Sequence, residues 1–154
     1  MTVQSSALAA LSIGTTTVAD VQAEYDADTY TAVGEIEDFG QFGDVINPVN
    51  FISLADSRVR KLKGSRDAGT MNLTVGFDPG DAGQDALIAA FADTGTANYN
   101  FKVELDDAVS TNGTTFYFSG HVMSYPVTVG SADNVIKRAF AIAINTAIIE
   151  KAAA

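Results

Sequence analysis

A mainly β domain with one flanking α-helix is the fold class the sequence predicts, built as a β-sandwich or small barrel with a long loop and flexible termini. Three observations carry it. First, Met71, Leu73, Val75 and Phe77, then Tyr99, Phe101, Val103 and Leu105, then Phe116, Phe118, Gly120 and Val122 each alternate with other residues at period two, as strands with a buried face do. Second, one clear helical stretch interrupts them, at residues 81–93. Third, 154 residues with 47% hydrophobic and 18% charged content suffice for one domain, 1–154, with a real core and exclude a disordered chain.

The elements follow in order. Residues 1–9 show no period, and 1–10 read as a flexible N-terminal arm. The apolar run 7–13 is short and has no preceding Lys or Arg, so a secretory leader is not expected. Residues 30–38 (YTAVGEIED) read as a strand. Residues 39–67 contain Gly40, Gly43, Pro48, Gly64, Phe39 and Phe42 and read as a long extended loop or hairpin arm; loops of that length are usually functional. After the strand at 70–77, Asp78-Pro79-Gly80 marks a stop. In the helix that follows, acidic residues come early, Leu87, Ile88 and Phe91 keep helical spacing, and Gly95 stands at the end. Asn112-Gly113 marks a turn between the strands at 99–105 and 116–123. Residues 135–149 mix alanines, which favour helix, with a strand-like alternation of Ile136, Arg138, Phe140, Ile142 and Ile144. Strand is the better reading, since a helix there would be apolar around its whole girth. Residues 151–154 read as a loose C-terminus.

Charge is unevenly distributed. Arg58, Arg60, Lys61, Lys63 and Arg66 are five of nine basic residues in a chain of formal charge −10. Upstream lie Asp20, Glu24, Asp26, Asp28, Glu35, Glu37 and Asp38, seven of nineteen acidic residues. Nucleic-acid contact, a solvated face and a contact between subunits are the readings of the basic block. It lacks interleaved aromatics, and the net charge argues against broad nucleic-acid binding. Complementary blocks on one chain suit self-association, because they set partner and register.

Catalytic chemistry is poorly supplied. His121 is the single histidine, and a lone histidine on a strand makes no triad without a nucleophile and an orienting group. DPGDAGQD lacks the alternate oxygens and terminal Glu of a calcium loop; a turn followed by a helix cap is the plainer reading. GSRDAG does not match a phosphate loop. With no cysteine there is neither a disulfide nor a thiolate metal site. No apolar run reaches the roughly 18 residues needed to cross a bilayer. No enzyme activity, cofactor, metal or membrane is expected.

The segments VGEIEDFGQFGDVINPVNFISLADSRVRKLKGSRDAGTMNLTVGFDPGDAGQDAL, YNFKVELDD and FYFSGHVMSYPVTVGSADNVIKRAFAIAIN resemble, in order and spacing, the major tail tube proteins of long non-contractile-tailed (siphovirus-type) bacteriophages. RVRKLKGSRDAGTM and FSGHVMSYPVTVGSADN are the most specific parts. The resemblance implies a virion protein, assembled in the host bacterial cytoplasm, whose hexameric rings stack into a tube. An acidic, β-lined channel then conducts double-stranded DNA into the host without tight binding. It also implies that residues 39–67 reach neighbouring subunits and that tail tip, tape measure and tail terminator proteins are partners. On that basis Arg58, Arg60, Lys61, Lys63 and Arg66 are expected at inter-subunit contacts. The alternatives are a stand-alone β-barrel ligand-binding module, or the tube subunit of a contractile tail or secretion system.

Overall fold

The computed structural model describes residues 3–107 and 112–154. Residues 1–2 of the expected N-terminal arm, and 108–111 of the connection before Asn112, lie outside them. The elements are β1 (Ala10–Ile13), α1 (Gln22–Ala27), β2 (Thr31–Val33), β3 (Ile36–Asp38), β4 (Val45–Ile52), β5 (Val59–Asp67), β6 (Thr70–Gly76), α2 (Ala82–Ala92), β7 (Tyr99–Glu104), β8 (Thr115–Ser124), β9 (Val127–Thr128), β10 (Lys137–Ile144) and β11 (Ile149–Lys151).

Nine strands form one antiparallel sheet in the order β2-β1-β7-β8-β10-β6-β3, with β11 added beside β8 and β9 beside β10. The sheet is not closed into a barrel. β2 and β3 stand at its opposite ends although only Gly34 and Glu35 separate them in sequence. The sheet therefore curls until its ends approach one another, and residues from both ends (Val33 on β2, Leu73 and Val75 on β6) share one core with Leu11, Phe101, Phe118, Phe140, Ile142 and Leu87. The expected single strand over 30–38 is broken at this corner, where Glu35 adopts a left-handed backbone with φ 56°. A non-glycine residue in that region is uncommon and marks a turn.

Helix α2 fills the concave side. Asp81 is its N-cap and accepts from the Gln84 amide at 2.9 Å, satisfying one of the free amides at the helix start. Gly83, Gln84, Leu87 and Ala90 form its buried face. A side chain at Gly83 would collide with the backbone of Ala32 and Val33, so glycine is what lets the helix lie against β2. The expected turn-plus-cap role of DPGDAGQD is what the structure shows, with Asp78 accepting from the Gly80 amide at 2.9 Å.

At the corner between β2 and β3, the fully buried Gln84 carboxamide donates to the Gly76 carbonyl at 2.8 Å and the Gly34 carbonyl at 3.4 Å. Its oxygen accepts from the Asp78 amide at 3.3 Å and Arg138 Nη1 at 3.1 Å. Asp81 also accepts from the Gly34 amide at 3.0 Å. One helix end thus ties together β2, β3, β6 and β10.

The first thirty residues hold more structure than expected. β1 is a central strand, with Leu11 and Ile13 in the core and β2 and β7 on its two sides. A second helix, α1, covers the far face of β7 and β8. There Tyr25 stacks on Tyr117 at 5.5 Å between centroids, and Ala19 completes the small cluster. Between helix and sheet runs a polar chain. The Tyr25 hydroxyl bonds Ser119 Oγ at 2.8 Å, Ser119 Oγ donates to Asn100 Oδ1 at 2.7 Å, and Asn100 Nδ2 donates to Asp28 at 2.9 Å. At the C-terminus, where a loose end was expected, Lys151 closes β11 against Thr115 and Ala154 exchanges backbone hydrogen bonds with Asn112.

Hydrogen bonds to α1's carboxylates set their ionisation. Tyr117 and then Lys151 hold Asp26 below the ordinary carboxylate range against the opposing effect of burial. Burial pushes Asp28 up, but donors from Thr15, Asn100 and Thr29 outweigh it and leave its pKa lowered. The Tyr117 hydroxyl is pushed well above its usual range by burial and by its bond to Asp26.

Two predictions follow from these contacts. Gln84→Ala leaves the Gly76 carbonyl, the Asp78 amide and Arg138 without their partner. It is expected to cost about 3 kcal/mol, at about 1–3 kcal/mol per buried group left unsatisfied, read from the urea midpoint; a loss under about 1 kcal/mol would refute the tie. For the α1 face, a depressed carboxylate pKa contributes stability that is complete above the unfolded value near 4 and lost as pH falls through the lowered folded value. Protection of α1 from hydrogen exchange is therefore expected to fall below about pH 4. Asp26→Asn with Asp28→Asn should flatten that acid slope, and an unchanged slope in the double variant would assign it elsewhere.

Candidate assembly surface

The largest exposed feature is the hairpin of β4 and β5. The two strands pair only with one another, as a separate two-stranded sheet, and nearly every residue of both is exposed. At about 3.3 Å per residue its nine-residue longer strand reaches about 27 Å. An isolated two-stranded hairpin is marginally stable in water, so its length calls for a surface to lie on. It joins the body through Phe39–Asp44 on one side and Ala68–Gly69 on the other, where Gly69 adopts φ 75°. The segment expected as an extended loop or hairpin arm is thus a regular hairpin.

Pairing register decides which side chains share a face. Val59 lies opposite Ile52, Lys61 opposite Asn50 and Lys63 opposite Pro48; after a bulge Arg66 lies opposite Ile46. Since cross-strand partners point the same way and neighbours along a strand alternate, one face carries an apolar tip pair, Ile52 and Val59, followed by Lys61, Lys63 and Arg66. The opposite face carries Phe51 with Arg60 and Val49 with Leu62. One face is thus chiefly cationic beyond its tip, and the other chiefly apolar with Arg60 on it. Phe51 is 57%, Leu62 62% and the tip residue Leu54 98% exposed, an apolar content no solvated loop requires.

The five basic residues differ in their partners. Arg60 is already paired with Asp56 across the tip turn at 2.8 Å. Among the described residues, Arg58, Lys61, Lys63 and Arg66 have no carboxylate within ion-pair distance. Lysines, Pro48 and the bulge also guard the free edges of the hairpin against uncontrolled pairing. Residues 45–67 hold five basic and two acidic side chains, a net +3, leaving −13 on the rest of the chain.

The acidic block of the sequence divides in two. Glu24 accepts from the amides of Asp20 and Val21, and Asp26 and Asp28 belong to the α1 network. Glu35, Glu37 and Asp38 are exposed at the sheet corner, with Glu37 bridged to Lys137 at 2.7 Å. Sequence reasoning missed a set of apolar residues beside them. Phe77, Ile136 and Val135 are exposed, and Phe77 and Ile136 are joined by an amide-to-carbonyl bond of 2.8 Å. The signal was Phe77 ending an otherwise buried alternation; instead of entering the core it lies against the Arg138 guanidinium at 4.2 Å.

Catalytic groups do not gather. His121 lies half-buried on β8 opposite Ala143, and among the described residues no three His, Cys, Asp or Glu side chains are placed to hold a metal. Surface depressions of about 350 Å³ at Asp44, Arg66 and Asn145, and about 370 Å³ at Asp26, Lys102 and Tyr117, are lined chiefly by charged and polar groups.

Solved structures that share this fold include chains of a baseplate, a particle tail and a tail tube. A chain of the anti-feeding prophage baseplate, a sixfold-symmetrised reconstruction, aligns over 99% of this chain and 97% of its own length with TM-score 0.73 and 11% identity. A chain from the tail of an empty gene transfer agent particle, refined with C6 symmetry, aligns over 92% and 96% with TM-score 0.63 and 18% identity. The tail tube of SPP1 aligns over 94% and 76% with TM-score 0.60 and 12% identity. No curated protein sequence matches the chain. The family model for the lambda phage tail tube protein matches residues 16–148, from α1 through β10, and the chain belongs to that family.

Proposed function

We propose that this chain is the tube-forming subunit of a long, non-contractile phage tail, in which hexameric rings stack through the β4–β5 hairpin. The observation that carries the reading is that hairpin: an arm whose strands, among the described residues, pair only with each other, chiefly apolar on one face and cationic on the other, on a body of net charge −13. Sixfold arrangement is supported by the symmetry of the baseplate and gene-transfer-agent assemblies that share the fold. The role is structural, with no catalysis. Rings form in the host cytoplasm, growth starts on a tail tip complex, a tape measure protein sets the length and a terminator ends it. Arg58, Arg60, Lys61, Lys63 and Arg66 meet acidic surface on neighbouring copies.

Double-stranded DNA passes through the channel without adhering. The outer face of β7 that holds Asn100 is covered by α1 (Asn100 is buried), whereas Asn72 on β6 is exposed and suits the channel wall. Beside it on the same face, Thr70, Thr74, Ala139, Ala141 and Ala143 alternate in register with no charge, and Glu37 and Asp38 border it from β3. The wall is built of small neutral side chains, and the one cation in that register, Lys137 opposite Gly76, is already bridged to Glu37 at 2.7 Å, so phosphates meet little free positive charge. The binding-module alternative needs an apolar cavity of ligand size; the depressions at Asp44 and Asp26 are chiefly polar, and the more apolar one at Val18, Ala19 and Ala97 holds only about 110 Å³.

Arg60→Glu with Lys63→Glu is expected to leave a folded subunit, by circular dichroism and urea midpoint, and to abolish tubes in negative-stain images. Normal tubes from this variant would remove the basic block from the contacts. Wild-type tubes are expected to show no measurable affinity for double-stranded DNA at physiological salt. Asn72→Lys, repeated around each ring, should create binding that weakens steeply as salt rises. Salt-sensitive binding by the wild type would defeat the sliding channel, and a silent Asn72→Lys tube would move the wall to another face.

A further inference from the structure

The arm and the apolar, acidic corner adjoin opposite ends of β6. The hairpin leaves the body just before Thr70, where β6 begins, and the corner lies at Phe77, just past the end of β6. Seven strand residues separate them, about 23 Å at ordinary strand rise. The two surfaces match in chemistry. At the tip and along one face the arm presents Leu54, Ile52 and Val59, then Lys61 and Lys63. At the corner, exposed Phe77, Val135 and Ile136 are flanked by Glu35, Glu37 and Asp78. The bond from the Gly76 amide to the Glu35 carbonyl, 2.7 Å, holds that acidic edge against the apolar residues.

Cations at the corner also enter the balance. Lys137 is bridged to Glu37, and Arg138 is buried beneath Phe77 with its charge on Gln84. Glu35 and Asp78 have no ion-pair partner among the described residues, and the Asp78 carboxylate accepts only a backbone amide there. The corner therefore keeps net negative charge around its apolar centre.

We propose that the arm of one copy docks, tip first and with its Lys61–Lys63 face down, on the Phe77–Val135–Ile136 corner of a second copy. Lys61 and Lys63 then lie against Glu35 and Asp78. This rests on the tube reading and adds the receiving surface to it. The contact joins unlike surfaces, so unless two copies exchange arms reciprocally each docked copy still offers a free arm and a free corner. Such head-to-tail contacts propagate without limit unless rotation closes them, which gives stacking its open-ended direction.

The absence of native cysteine makes a cross-link test clean. Val59→Cys and Val135→Cys alter exposed positions on the arm and the corner. A disulfide requires Cα atoms within roughly 7 Å, and the gel separates an intrachain bond, which leaves a monomer, from an interchain one. The full-length double variant, oxidised under assembly conditions, is expected to give a ladder of covalent oligomers on a non-reducing gel, while each single variant stops at dimer. Lys63→Glu should abolish tubes, and Lys63→Glu with Glu35→Lys should restore them. Wild-type tubes with no ladder and no rescue would overturn the docking site and leave the tube standing. A ladder without rings or tubes would support the contact and overturn the tube reading. Neither ladder nor tubes would overturn both.

Discussion

Everything in this fold depends on how the two ends of one curled sheet are held near each other without closing. β2 and β3 share no ladder; the chain turns from one to the other through Gly34 and Glu35. The corner they form is fixed from inside by the first turn of α2. Asp81 takes the Gly34 amide, and the Gln84 carboxamide reaches Gly34, Gly76, Asp78 and Arg138. A fully buried carboxamide with both its donors and its acceptor used is costly to leave half satisfied and specific when complete. Because it sits where β2, β3, β6 and β10 converge, it sets the curvature that gathers Leu11, Leu73, Phe101, Phe118 and Phe140 into one core.

With the concave side closed by α2, the convex side is divided. Over β7 and β8, α1 and its tyrosines bury the outer face through a chain of hydrogen bonds from Tyr25 to Asp28. β8 is thereby buried on both faces, as Tyr117 and Ser119 on one side and Phe118 and Val122 on the other show. Over β6 and β10 the outer face stays open and carries small, uncharged side chains in the register of Thr70, Asn72 and Thr74 with Ala143, Ala141 and Ala139, ending at Lys137, which is bridged to Glu37. The same sheet thus offers a sealed half and a smooth half, and the difference lies in whether a helix is laid across it.

Charge separates along the other axis. The arm keeps +3 and the body −13, and charges of that sign pattern repel arm from arm and body from body while favouring arm on body. Over the Debye length of about 8 Å in physiological salt, such terms guide approach and register more than they add affinity. The apolar residues at the tip and at the corner supply the area to be buried. Free strand edges on the hairpin, a hazard in a lone protein, are guarded by lysines, a proline and a bulge.

The sequence by itself determined strands over 70–77, 99–105 and 116–123, within a residue of the observed 70–76, 99–104 and 115–124, a helix over 81–93 against the observed 82–92, and the basic segment, because each is written in local period, capping chemistry or composition. It also settled the ambiguous end, where strand-like alternation prevailed over the helix preference of alanine and became β10. β1 and α1 were not legible: four and six residues are too short for a period to emerge, and Tyr25 is buried only because β7 and β8 lie beneath it. The break at Glu35 was hidden for a related reason, since YTAVGEIED alternates well and only the approach of the two sheet ends turns the chain. The pairing of Ala154 with Asn112 joins segments that no local rule relates. The arm's faces depended on a bulge between Ile46 and Pro48, and the corner on Phe77 lying over Arg138. Both are long-range facts of register and packing, which tertiary structure alone decides.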